Sequence, residues 1–73
     1  MSSLPRISGR ECIKALSKVG FILKRQHGSH IILRRNEPFT QVVVPDHKEI
    51  DRGTLRAIIR QANLTVDEFN KLL

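Results

Sequence analysis

The chain has 73 residues, which is enough for one small domain with a single layer of helix packed on sheet and no deep enclosed pocket. Its 13 Lys and Arg against 7 Asp and Glu give a net charge of +6, which favours polyanions: nucleic acid first, acidic protein surfaces second. Hydrophobic residues make up 40% of the chain, but uninterrupted apolar runs stop at about three residues (Ile31-Ile32-Leu33, Val42-Val43-Val44), far short of the roughly 20 needed for a membrane-spanning helix.

The start, Met1-Ser2-Ser3-Leu4-Pro5, lacks the apolar stretch of a signal peptide, so the cytoplasm is the expected compartment and residues 1–5 are expected to be loose. Ser8-Gly9-Arg10-Glu11 has the form of a capping box, with a hydroxyl acceptor at the N-cap and a carboxylate three residues on. Cys12, Ile13, Leu16 and Val19 then recur at helical spacing, with Ala15 beside them. A helix over 9–19 follows, stopped by Gly20. Cys12 lies on its apolar stripe and reads as a small buried residue; a single cysteine can form neither an intrachain disulfide nor a thiolate metal site.

Three short strands are predicted next, over 21–26, 30–35 and 40–44, with His27-Gly28 and Asn36-Glu37-Pro38 as turns and Pro45 as the end. Loops this short imply an antiparallel meander, which can bury one face and leave the other open. Strict alternation would turn Phe21, Leu23, Ile31, Leu33, Val42 and Val44 toward the helices. Lys24, Gln26, His30, Ile32, Arg34 and Gln41 would then share the open face. Asp51 can cap a second helix over about 52–62, with Leu55, Ile58, Ile59 and Ala62 facing inward. Thr65-Val66-Asp67-Glu68 repeats the capping-box form and opens a short last helix carrying Val66, Phe69, Leu72 and Leu73. The expected class is α+β, in the order α-β-β-β-α-α, over residues 1–73 as a single domain.

The chemistry this allows is narrow. His30 sits among two cations and two amides, and an unperturbed imidazole gives or takes a proton near neutral pH. Taken alone, a histidine placed like His30 is more often an ordinary sheet residue, the glycine before it no more than a turn residue, and Gly28-Ser29-His30 a weak signal. Arg52, Arg56 and Arg60 recur every four residues as a ridge, which fits phosphate contacts, an acidic partner, or simple solvation. His27, His30 and His47 have no carboxylate at a convincing spacing, and structural zinc needs four ligands, so no metal and no cofactor is expected. There is no nucleotide-cradling glycine loop and no arguable Ser-His-Asp set. With three Phe, no Trp and no Tyr, and with Phe21 and Phe69 reading as core, a base-stacking platform is not expected.

Five segments in order resemble the HicA (YcfA-like) family of toxins from prokaryotic toxin–antitoxin pairs. They are Ser8-Gly9-Arg10-Glu11 leading to Val19-Gly20-Phe21; Gly28-Ser29-His30; Val42-Val43-Val44-Pro45 with His47; Gly53-Thr54-Leu55 within 52–62; and Val66-Asp67-Glu68-Phe69. The likeness runs from Pro5 to Leu73. It implies a fold similar to the double-stranded-RNA-binding domain, an endoribonuclease that cuts mRNA without needing the ribosome, and a HicB-type antitoxin that blocks the site. RNA carries its own nucleophile, the 2′-hydroxyl, so the cut requires no metal. Carried over by position, His30 alone is implied as catalytic. Lys24, Gly28, Ser29 and Arg34, with Arg52, Arg56 and Arg60, are the expected RNA contacts. The alternatives are a non-catalytic RNA-binding module on the same fold, and a decayed nuclease kept as a partner-binding subunit.

Overall fold

The computed structural model describes residues 3–73; Met1 and Ser2 lie outside the described residues. The elements are α1 (Gly9–Ser17), β1 (Ile22–His27), β2 (His30–Asn36), β3 (Phe39–Pro45), α2 (Arg52–Gln61) and α3 (Val66–Asn70). The strands form one antiparallel sheet in the order β1-β2-β3. The helices lie on one face of it, where α1 and α2 both pack against β3. The expected α-β-β-β-α order with a short extra C-terminal helix is the one observed.

Local chemistry explains the boundaries. The Ser8 hydroxyl accepts from the Glu11 N–H at 3.1 Å, and the Glu11 carboxylate accepts from the Ser8 N–H at 2.9 Å. Thr65 and Glu68 repeat this at 3.0 and 2.8 Å. Asp51 caps α2 by accepting from the N–H groups of Gly53 and Thr54. Helix α1 ends two residues earlier than the spacing predicts, because the chain turns over residues 18–20 and reverses at Gly20, with φ +96°. Asn63, at φ +66°, ends α2 in the same left-handed way.

One apolar cluster holds the layers together. Ile31, Leu33, Val42 and Val44 from the sheet meet Cys12, Leu16, Leu55, Ile58, Ile59 and Phe69 from the helices, and no polar or charged side chain is buried among them. Fully burying each large apolar side chain contributes about 1.5–3 kcal/mol. Leu4 belongs to this cluster, and the Ser3 carbonyl accepts from Asn70 Nδ2, so the loose start expected over 1–5 does not describe residues 3 and 4. Helix α3 ends at Asn70, so Leu72 and Leu73 follow it instead of belonging to it, and Leu73 is exposed.

Strand β1 departs from simple alternation. Leu23 pairs with Leu33, but the next pair is Arg25 with Ile32, so Lys24 and Arg25 together oppose one residue of β2. This bulge inverts the faces of everything after it. Gln26, expected on the open face, pairs with the buried Ile31 and lies on the helix side. Arg25 takes the open side instead. Leu23 does face the helix side, yet it stays 46% exposed, because the helices pack over β3 and leave the β1 edge uncovered.

Candidate nucleic-acid interface

The open face follows from the register. Its first row is His27, His30 and Pro45; then come Arg25, Ile32 and Val43; then Ile22, Arg34 and Gln41; and last Asn36 with Phe39. The three strands contain Lys24, Arg25, Arg34 and Arg35 and not one Asp or Glu. A polyanion therefore meets cations, imidazoles and apolar surface across this face, with no carboxylate to repel it.

The turn that delivers His30 is Gly28–Ser29, one residue later than the spacing suggests, because His27 belongs to β1 and pairs directly with His30. Gly28 adopts φ +58°, the left-handed conformation a two-residue hairpin needs at its first central position. An added Cβ would meet nothing within 4 Å, so the demand at Gly28 is conformational and not spatial. Paired residues place their Cβ atoms about 4.5–5.5 Å apart. His27 and His30 are thus neighbouring, exposed imidazoles on one face.

Behind the turn lies a polar clamp that the spacing of residues does not reveal. The Asp46 N–H donates to the Ser29 carbonyl at 2.7 Å. The Asp46 carboxylate accepts from Arg10 Nε and Nη2, both at 3.1 Å, and from Gln26 Nε2 at 3.4 Å. Gln26 Nε2 also donates to the Gly28 carbonyl at 2.9 Å. The hydrogen bonds from Arg10, then its charge, with help from Gln26 and the His47 charge, hold the Asp46 carboxyl below the usual carboxylate range. The Gly9 N–H donates to the His47 carbonyl at 2.9 Å, which brings the start of α1 to the same end of the molecule. No single segment could have announced this clamp, since its members come from α1, β1, the hairpin turn and the exit of β3.

At the other end of the open face, Arg34 donates to Gln41 Oε1 from Nε at 3.2 Å and from Nη2 at 2.9 Å. Its guanidinium carbon lies 5.7 Å from the centre of the Phe39 ring, and Phe39 is 67% exposed. Arg35, one residue on, points to the helix side and stacks at 4.7 Å over the buried Phe21. Adjacent arginines on β2 therefore do different work.

The other expected contacts lie elsewhere. Lys24 sits in the bulge, exposed, beside Arg25. Arg52, Arg56 and Arg60 are exposed along α2, on the helix layer and not on the sheet's open face. Arg52 starts α2, just after the loop that leaves β3 at the His30 end, while a rise of about 1.5 Å per residue carries Arg60 about 12 Å further along. Arg56 and Arg60 border a groove of about 430 Å³ that Ile59, Asn63 and Leu64 also line. Among the described residues, no three His, Cys, Asp or Glu side chains gather as a metal-binding group. No helix among them is long and apolar enough to cross a membrane.

Residues 9–64 match the family model described as HicA toxin of bacterial toxin-antitoxin. No curated protein matches the chain significantly.

Proposed function

Because the chain belongs to the HicA toxin family of bacterial toxin–antitoxin systems, we propose that it is an endoribonuclease that cuts mRNA at His30 without a metal ion. The observation that carries this reading is the acid-free open face, with His30 exposed in its first row and His27 beside it. RNA brings its own nucleophile. The 2′-oxygen attacks the adjacent phosphorus, the bond from phosphorus to the 5′-oxygen breaks, and a 2′,3′-cyclic phosphate and a 5′-hydroxyl result. One proton leaves the 2′-hydroxyl and one is delivered to the departing 5′-oxygen. His30 handles one of these transfers, and His27 is the group placed to handle the other. General acid–base help of this kind contributes about 10²- to 10⁴-fold.

Lys24, Arg25 and Arg34 supply positive charge for the phosphates along the face, and charge aimed at the reacting phosphate lowers the barrier further. Gly28 and Ser29 act through the turn that presents His30. The toxin–antitoxin family implies an antitoxin partner. A HicB-type antitoxin that covers His30 would silence the cut by denying RNA the open face.

The test is to incubate the purified protein and its His30→Ala variant with mRNA in EDTA. Cutting by the first and a loss of at least about 100-fold in the second supports the reading. If the wild type binds RNA and leaves it whole, the chain is an RNA-binding module and the nuclease reading fails. Equal cutting by the variant moves the chemistry to another residue. His27→Ala, measured alongside, should lower the rate without weakening RNA binding by a similar factor.

A further inference from the structure

We propose that Phe39, backed by Arg34, is a stacking subsite for an unpaired base, so that the substrate crosses the open face as single-stranded RNA. This rests on the RNA-cutting reading for the identity of the polymer, and on the geometry of the face for the rest.

Three observations converge. Phe39 is the most exposed large hydrophobic side chain of the described residues, at 67%, and Ile22 at 54% and Val43 at 43% are exposed on the same face in the rows between it and His30. The Arg34 guanidinium lies 5.7 Å from the ring centre and is held there by two bonds to Gln41, so the aromatic ring carries a fixed cation. Flat aromatic and guanidinium groups are what unstacked bases pack against, and a base inside a duplex has no free face to offer.

The third observation is distance. His30 and Asn36 are the ends of β2, and Asn36 pairs with Phe39. Six residues of strand span about 20 Å, room for several extended nucleotides between the reacting phosphate and the stacked base. Arg25 and Arg34 line that path, and no carboxylate of the strands interrupts it. An acidic protein segment would satisfy the charges, but it has no requirement for a ring with a cation stacked beside it. The combination favours RNA.

The chain has no Trp and no Tyr, so Phe39→Trp places a lone fluorophore at the subsite. The variant is made in the His30→Ala background, so that RNA stays whole, and is titrated with a short oligoadenylate and with a duplex RNA of equal length. Quenching by the oligoadenylate, with little by the duplex, is expected. Phe39→Leu keeps apolar bulk without the π face and should weaken oligoadenylate binding about 5- to 100-fold, while Phe39→Trp retains it. If labelled oligoadenylate binds but the indole emission does not change, the subsite is overturned. It is equally overturned if Phe39→Leu binds like wild type, or if only an added antitoxin shifts the emission. The two readings fail separately. Cutting by wild type without quenching in the Trp variant sinks the subsite alone, and quenching without cutting sinks the nuclease alone.

Discussion

Arg10 and Asp46, 36 residues apart in the chain, meet in a two-pronged pair with both N–O distances at 3.1 Å. The pair joins the first turn of α1 to the exit of β3, and through the Asp46 N–H it reaches the Ser29 carbonyl beside His30. The Asp46 carboxyl titrates below its ordinary value, chiefly because of the hydrogen bonds from Arg10. A depressed folded-state value stabilises the fold fully above the unfolded value of about 4, and that stability is lost as pH falls through the folded value. Thermal melts should therefore show wild type more stable than Asp46→Asn at pH 7, with the gap closing below about pH 4. A gap that persists unchanged into acid would mean that the carboxylate charge contributes nothing.

Gly28 is left-handed for conformational reasons alone, so side-chain size should matter less than backbone preference. Gly28→Ala is expected to lose about 1–2 kcal/mol in urea unfolding. Gly28→Asn should lose less, because Asn visits that region more readily. Equal losses would point to a spatial constraint instead.

At Gly9 the reverse holds. A Cβ there would collide with the Pro45 carbonyl, which is backbone and cannot swing away. Alanine normally improves a helix by up to about 1 kcal/mol over glycine. Here Gly9→Ala should instead destabilise by about 1–3 kcal/mol, as overpacking does. A lower urea midpoint at unchanged slope is the expected result, and a raised midpoint would show that the contact yields.

Cys12 is fully buried among apolar side chains, and burial pushes its thiol up to about 12. The thiolate is the reactive form, so native protein should resist a thiol reagent at pH 8 and react only as it unfolds. Rapid labelling under native conditions would show that α1 opens locally.

The arginine ridge can be divided by salt dependence. Each phosphate contact to a single strand contributes about −0.7 to the slope of log K against log salt. A ridge arginine that meets a phosphate should, when changed to Ala, reduce the slope by about that amount, and Arg52→Ala tests this at the start of α2. Arg60→Ala, about 12 Å further along the helix layer, should reduce it less. Identical slopes for both variants and wild type would take the ridge out of RNA binding altogether.

Much of the architecture was legible in local chemistry. Ser8 with Glu11, Asp51, and Thr65 with Glu68 start the three helices because each N-cap satisfies donors within its own first turn. The alternation in Ile31-Ile32-Leu33 and in Val42-Val43-Val44 orders the two strands that bury their faces. The clamp joining Arg10, Gln26 and Asp46 was not legible, and neither was the pairing of His27 with His30. The placing of Phe39 beside Arg34 was equally hidden.

The sequence by itself determined the element order, the caps, the buried stripe and the basic charge, all of which depend on residues within a turn or two of one another. Only the tertiary structure decided which side chains share a face. One extra residue at Lys24 inverts the rest of β1, bringing Arg25 out to the open face and sending Gln26 back to Asp46. Side chains alternate with a period of two, so a single bulge is enough to exchange the two faces. Whether the strand bulges is set by its pairing partner and the packing beneath it, which no local pattern in Ile22–His27 encodes.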